Sequence, residues 1–327
     1  MNLKRKHHFV SQFYLKSWYN NVEKIIVWDG DKTFPSLTKS IAYEKDLYKL
    51  TPLTSYQISF FEEHLRQMSL DDTSTYNYVI RNILVIHNGF NFLDTIENNY
   101  SEEIFDLKKK FSFNFLEDKF AVEEAEFSKV IKKIILKPKS KISLNDYYAL
   151  VHFFVFQLFK TPRKINRFLD VNQQSSIFKG LDFTQPELRS YTLLFIQCLS
   201  ERAHTSLISR LYSIKIYNNI SDTNFITSDD PCFNQKFDEN EFYVQLPISP
   251  KVMIELAANP YEEKYINSMT AYFNFHKKEA DNVILTEPLV TFHELEQTEV
   301  IELNKKIFEN KDRFVYAQTT SDIESIS

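Results

Sequence analysis

Three observations predict an α+β fold for this 327-residue chain. Its middle shows sustained helical spacing with few breakers, and β-like runs stand both before and after it. Pro, Asp and Asn separate the later β-like runs. The expected architecture is a helix-rich middle with a mixed or antiparallel sheet formed by N- and C-terminal strands. No repeat, low-complexity block or linker interrupts the chain, so a single domain over 1–318 is expected, with a flexible polar tail at 319–327.

The elements follow in order. KIIVWDGDKT (24–33) alternates into an Asp-Gly turn and reads as a strand entering a hairpin. Residues 56–86 and 91–136 have helical spacing; 115–138 places acids first and lysines last, which complements a helix dipole, and ends at Pro138. SLND (143–146) has the form of a capping box and opens a very apolar helix over 145–160, which stops near Pro162. A helix is expected at 187–213. NFITSDDPCF, FYVQLPIS and KVMIELAAN then read as strands, followed by helices at 261–279 and 294–310 and a strand at 313–317.

Composition excludes several function classes. The chain has 30 Phe and 18 Tyr but only 3 Gly, and Gly30, Gly89 and Gly180 are too far apart for a dinucleotide or phosphate loop. Cys198 and Cys232 do not have metal-ligand spacing. No apolar leader follows Met1, so a reducing cytoplasmic setting is expected, and the longest apolar run, 147–159, is too short to span a bilayer. No membrane partner is expected. Net charge is −5, yet residues 1–16 are basic without an acid and 129–141 carry six lysines. That lysine stripe reads as a solvated helix face or as a nonspecific phosphate contact.

Several polar clusters carry candidate chemistry. KRKHHFVSQFYLKSW (4–18) sets His7 beside His8, with Gln12 four residues after His8 and so on one face if a helical turn reaches back that far. One ring would do chemistry, preferably His8, while His7 secures the segment; a plain polar arm is the alternative. Ser228, Asp229 and Asp230 follow an apolar strand, where carboxylates serve as bases or metal ligands, or simply close an Asx turn. Gln157, Lys160 and Arg163 end the apolar helix, where cations offset its dipole or clamp a phosphate. Gln197, Glu201 and His204 share a helix face, as an ion pair or a ligand set, and His152 is better read as a core histidine.

The opening motif, His7-His8-Phe9-Val10-Ser11-Gln12-Phe13-Tyr14-Leu15, resembles the start of the domain-of-unknown-function family numbered 4238 (DUF4238). So do Gln157 with Lys160-Thr161-Pro162-Arg163, TSDDP (227–231), LPISP (246–250) and LNKKIFENKDRFVYA, in the same order. Ser11 replaces the usual proline, Lys160 a frequent arginine and Asp230 a common asparagine; serine is a good helix N-cap. The resemblance implies a glutamate on the preceding helix, for which Glu124 is chosen over Glu117 and Glu123. It also implies a prokaryotic anti-phage role.

Two functions are expected from this. One is a defence nuclease or related phosphohydrolase acting on nucleic acid or nucleotide, with a His/Asp/Glu site, an optional divalent metal ion as cofactor, and flanking Lys/Arg. The other is a noncatalytic sensor binding a phage or host protein. Convergence of 7–12, 157–163 and 227–230 discriminates them.

Overall fold

A computed structural model of the chain describes residues 2–68, 73–97, 101–236, 241–259, 261, 263–275 and 277–326. It opens with β1 (Lys6–His8), α1 (Gln12–Leu15), β2 (Ile25–Trp28), β3 (Thr33–Ser36) and β4 (Tyr43–Lys45). Among the described residues helices follow: α2 (Ser55–Met68), α3 (Thr73–Glu97), α4 (Ser101–Leu136), α5 (Leu144–Phe159), α6 (Pro162–Gln174), α7 (Ser176–Lys179) and α8 (Gln185–Ser209). Then come β5 (Ser213–Asn219), β6 (Thr227–Ser228), β7 (Tyr243–Ser249), β8 (Val252–Ala257), α9 (Glu263–Phe275) and β9 (Val290–Leu295). The chain ends with α10 (Gln297–Asn310), β10 (Val315–Ala317) and α11 (Thr320–Glu324). None of the described helices is long and apolar enough to cross a membrane.

The chain divides into two compact units. The first comprises 1–7, 44–122 and 162–205 and is helical apart from short β segments. Its centre is aromatic: Phe61 meets Tyr191 edge-on at 4.7 Å, and His64 stacks on Phe195 at 5.1 Å. Gly89 lets α3 approach α4, since a β-carbon there would stand 3.0 Å from the Phe111 ring.

The second unit comprises 8–43, 123–161 and 206–327 and holds both four-stranded sheets. In the first, ordered β3-β2-β10-β6, every pairing is antiparallel. N- and C-terminal strands therefore share a sheet, as the sequence predicts. The β2–β3 turn works because Gly30 adopts φ +100° and the Asp29 carboxylate accepts the Asp31 and Lys32 amides. The other sheet, β7-β8-β5-β9, is mixed, with β5 parallel to β9. α10 places Val300, Leu303 and Ile307 on one face, packed with Ile26, Phe225, Met253 and Val315. α1 fastens the sheets together. The buried Tyr14 hydroxyl donates to the Pro247 carbonyl of β7 at 2.8 Å and lies 2.6 Å from Thr227 Oγ1 of β6.

The capping box on α5 is present: Ser143 accepts from the Asp146 amide, and Asp146 accepts from the Ser143 amide. Other boundaries differ from expectation. α3 continues through 87–90, where close packing at Gly89 removes the need for a break. The helix expected at 187–213 ends at Ser209, because Leu211 turns the chain with φ 49° into β5. Residues 294–296 belong to β9 and its exit, so α10 begins only at Gln297. Within 319–327, Thr319 and Asp322 form a capping box for α11, and Ile323 is buried.

Candidate active site

Ser11 stands at the N-cap position of α1, yet its hydroxyl makes no capping bond. Instead it donates to Glu124 Oε1 at 2.9 Å and accepts from Gln157 Nε2 at 2.9 Å. Lys160, the C-cap residue of α5, donates to the same Glu124 oxygen at 2.5 Å. A directed relay results: the Gln157 amide gives to Ser11, Ser11 gives to Glu124, and the Lys160 ammonium closes on that carboxylate. All four residues lie within the second unit.

The burial of these groups is uneven. The Lys160 side chain is 3% exposed and Glu124 23%. An ammonium so enclosed needs its carboxylate, and Lys160 also lies over the Phe156 ring, 4.6 Å from its centroid. Both contacts to Glu124 fall on Oε1; among the described residues no hydrogen bond engages Oε2. The amide oxygen of the fully buried Gln157 likewise has no partner among the described residues. A buried acceptor of that kind calls for a donor.

The neighbouring Thr161 donates from Oγ1 to Asp230 Oδ1 at 3.0 Å. Within the second unit, 8–12 is thus tied to 157–161 through Ser11–Gln157, and 157–161 to 227–230 through Thr161–Asp230. His8 closes β1 and is not part of a helical turn. Its Nδ1 lies 3.4 Å from Gln12 Nε2 across the strand-to-helix corner.

The remaining candidates are held in other ways. His7 is buried in the first unit, where Nδ1 accepts the Tyr48 amide at 2.7 Å and Nε2 lies 2.8 Å from the Lys4 carbonyl. These partners fix a neutral, Nε2-protonated ring stacked on Tyr48. Asp229 accepts the Asp312 and Arg313 amides at 3.0 and 2.9 Å and thereby holds the turn into β10. Burial pushes its carboxyl up from the usual range, against those backbone donors. Ser228 Oγ accepts the Asp230 amide at 3.2 Å, a local turn. Arg163 is exposed on α6, in the first unit. The lysine stripe is partly neutralised: Lys129 pairs with Glu126, Lys133 with Asp146 and Lys139 with Glu294. Among the described residues, His7, His8, Glu124, Asp229 and Asp230 do not bring three ligand atoms together for a metal ion.

A further buried carboxylate, Glu255, was not singled out from the sequence. Glu255 on β8 accepts from Tyr217, Tyr243 and Gln245 at 3.0, 2.8 and 3.1 Å, and pairs with Lys215 at 2.7 Å. Burial alone would raise its carboxyl, but these donors outweigh burial and hold it below the usual range. The available signal was a glutamate inside the apolar strand KVMIELAAN.

A family model described as a protein of unknown function, DUF4238, matches residues 6–321. No curated protein and no solved structure matches the chain.

Proposed function

Since the chain belongs to the DUF4238 family, whose description assigns no activity, we propose from its own residues that it hydrolyses phosphate esters of nucleic acid or nucleotides at Glu124 and Lys160. The observation that carries this reading is the partly exposed Glu124 carboxylate, fixed through one oxygen while the other is unengaged among the described residues. In this reading Oε2 accepts the proton of an attacking water, and the Lys160 ammonium offsets charge growing on the phosphoryl oxygens. Ser11 and Gln157 hold the base in one orientation. His8 and Asp230 are proposed to position the ester or protonate the leaving oxygen.

The test is hydrolysis of single- and double-stranded oligonucleotides and of bis(4-nitrophenyl) phosphate, with and without a chelator. Turnover that survives chelation assigns the electrostatic role to Lys160. Loss restored by magnesium or manganese adds a divalent cation to the site. We extend the proposal to the defence role: induced expression arrests growth or lowers phage plating only while Glu124 is intact.

A second reading is favoured by the burial of Ser11, Gln157, Lys160 and Asp230. Such a network also suits a noncatalytic protein that binds a phage or host protein, with the relay as an internal tie. Absence of turnover on every ester, with an unaltered partner-dependent phenotype in Glu124→Gln, would favour that reading.

A further inference from the structure

We propose that the pocket between α9 and residues 279–289 of the second unit binds an organic ammonium ion. The cavity measures about 450 Å³. α9 directs Tyr265, Met269 and Tyr272 to it at i, i+4 and i+7, a single helix face, with Phe273 beside them. Tyr265 and Tyr272 are 47% and 52% exposed, so these rings are not consumed by the core. Facing them, Glu279 and Glu287 line the same cavity.

Aromatic rings with carboxylates beside them are surroundings that attract a cation carrying alkyl groups. The tyrosine rings would supply cation–π attraction, and Met269 with Phe273 contact for methyl groups. An inorganic divalent ion is disfavoured, because among the described residues Glu279 and Glu287 do not join a third ligand within coordinating reach.

The far wall is preformed. The Leu144 amide donates to the Val283 carbonyl at 2.8 Å, the Leu285 amide to Ile142 at 2.9 Å, and Asn145 to Asp281 at 2.6 Å. These bonds stitch the wall to the N-terminal end of α5, whereas Gln157 and Lys160 lie at its other end. A helix of this length separates the two places by roughly 20 Å, so this site is independent of ester hydrolysis.

The experiment is calorimetric titration of the full chain with choline and with its uncharged isostere 3,3-dimethylbutan-1-ol. Choline is expected to bind saturably at one site, and the alcohol roughly tenfold or more weakly. Tyr272→Ala should weaken choline by roughly 5–30-fold while Tyr272→Phe retains it. Glu287→Gln should weaken choline and leave the alcohol unchanged. Tyr272 is half exposed, and an unchanged melting curve verifies that its variants remain folded. Equal binding of choline and the alcohol, no saturable choline binding, or choline binding indifferent to Tyr272→Ala would each overturn the proposal. Displacement of choline by equimolar magnesium would also do so, by making the site inorganic.

Discussion

Ser11 shows what a single residue decides here. Serine at a helix start is expected to cap it, yet the hydroxyl turns to Glu124 and Gln157, because a hydrogen bond to an ionised carboxylate is stronger than one to a neutral amide. Which hydroxyl pairs with which carboxylate depends on residues more than a hundred positions apart, so local pattern could not reveal it. The histidine pair was partly legible, since adjacent side chains diverge, and His7 is the one whose two nitrogens both meet backbone. His7→Ala leaves the Tyr48 amide and the Lys4 carbonyl without their partner; it should cost about 1–3 kcal/mol in chemical denaturation. His8→Ala should cost less stability and more hydrolysis. Glu255 yields a pH prediction. Its carboxyl is held below the usual range by Lys215 and its neighbours, so its contribution is full above the unfolded glutamate value of about 4.3 and is lost as pH falls through the folded one. Thermal melting from pH 6 to pH 3 should therefore fall less steeply in Glu255→Gln than in the native chain, from a lower starting point at pH 6.

Elements with local signatures were the legible ones. The Ser143–Asp146 box and the Asp29-Gly30 turn are written in contiguous residues, and both are present. Ser143→Ala removes one reciprocal capping bond and should lower stability by about 1 kcal/mol, whereas Ser143→Asp, which keeps the acceptor, should retain most of it. β5 and β9 were not recognised, for a physical reason. SIKIYNN follows directly on a long helix, and its Ile214 and Ile216 also fit an extension of helical spacing. VTFHEL is half exposed and carries a charge and a histidine, so it lacks the apolar run of a buried strand. Both are strands because they pair in parallel from Ile214↔Val290 to Asn219↔Leu295, a tertiary fact.

At the scale of the whole molecule, the chain crosses repeatedly between its two units, so no single cut separates them. Sheet β3-β2-β10-β6 needs residues 25–36 as well as 227–228 and 315–317. A fragment of residues 206–327 should accordingly show no cooperative melting; a sharp transition in that fragment would contradict this account. Within the second unit, long-range side-chain bonds tie Ser11 to Gln157 and Thr161 to Asp230. The central claim is that Glu124 and Lys160 perform chemistry and do not merely tie the fold. The most direct measurement is a double-mutant cycle of Glu124→Gln and Lys160→Met, read by phosphodiester hydrolysis and by denaturation together. Glu124→Gln should lose about 3–5 kcal/mol by stranding the buried Lys160 ammonium. Lys160→Met should lose less, because Glu124 is partly exposed and keeps Ser11, and the double variant should regain part of the larger loss. Hydrolysis in the double variant should nevertheless remain at least about 100-fold below the native rate. Hydrolysis that returns with stability in the double variant, or a native chain that hydrolyses no ester above background, would contradict the claim.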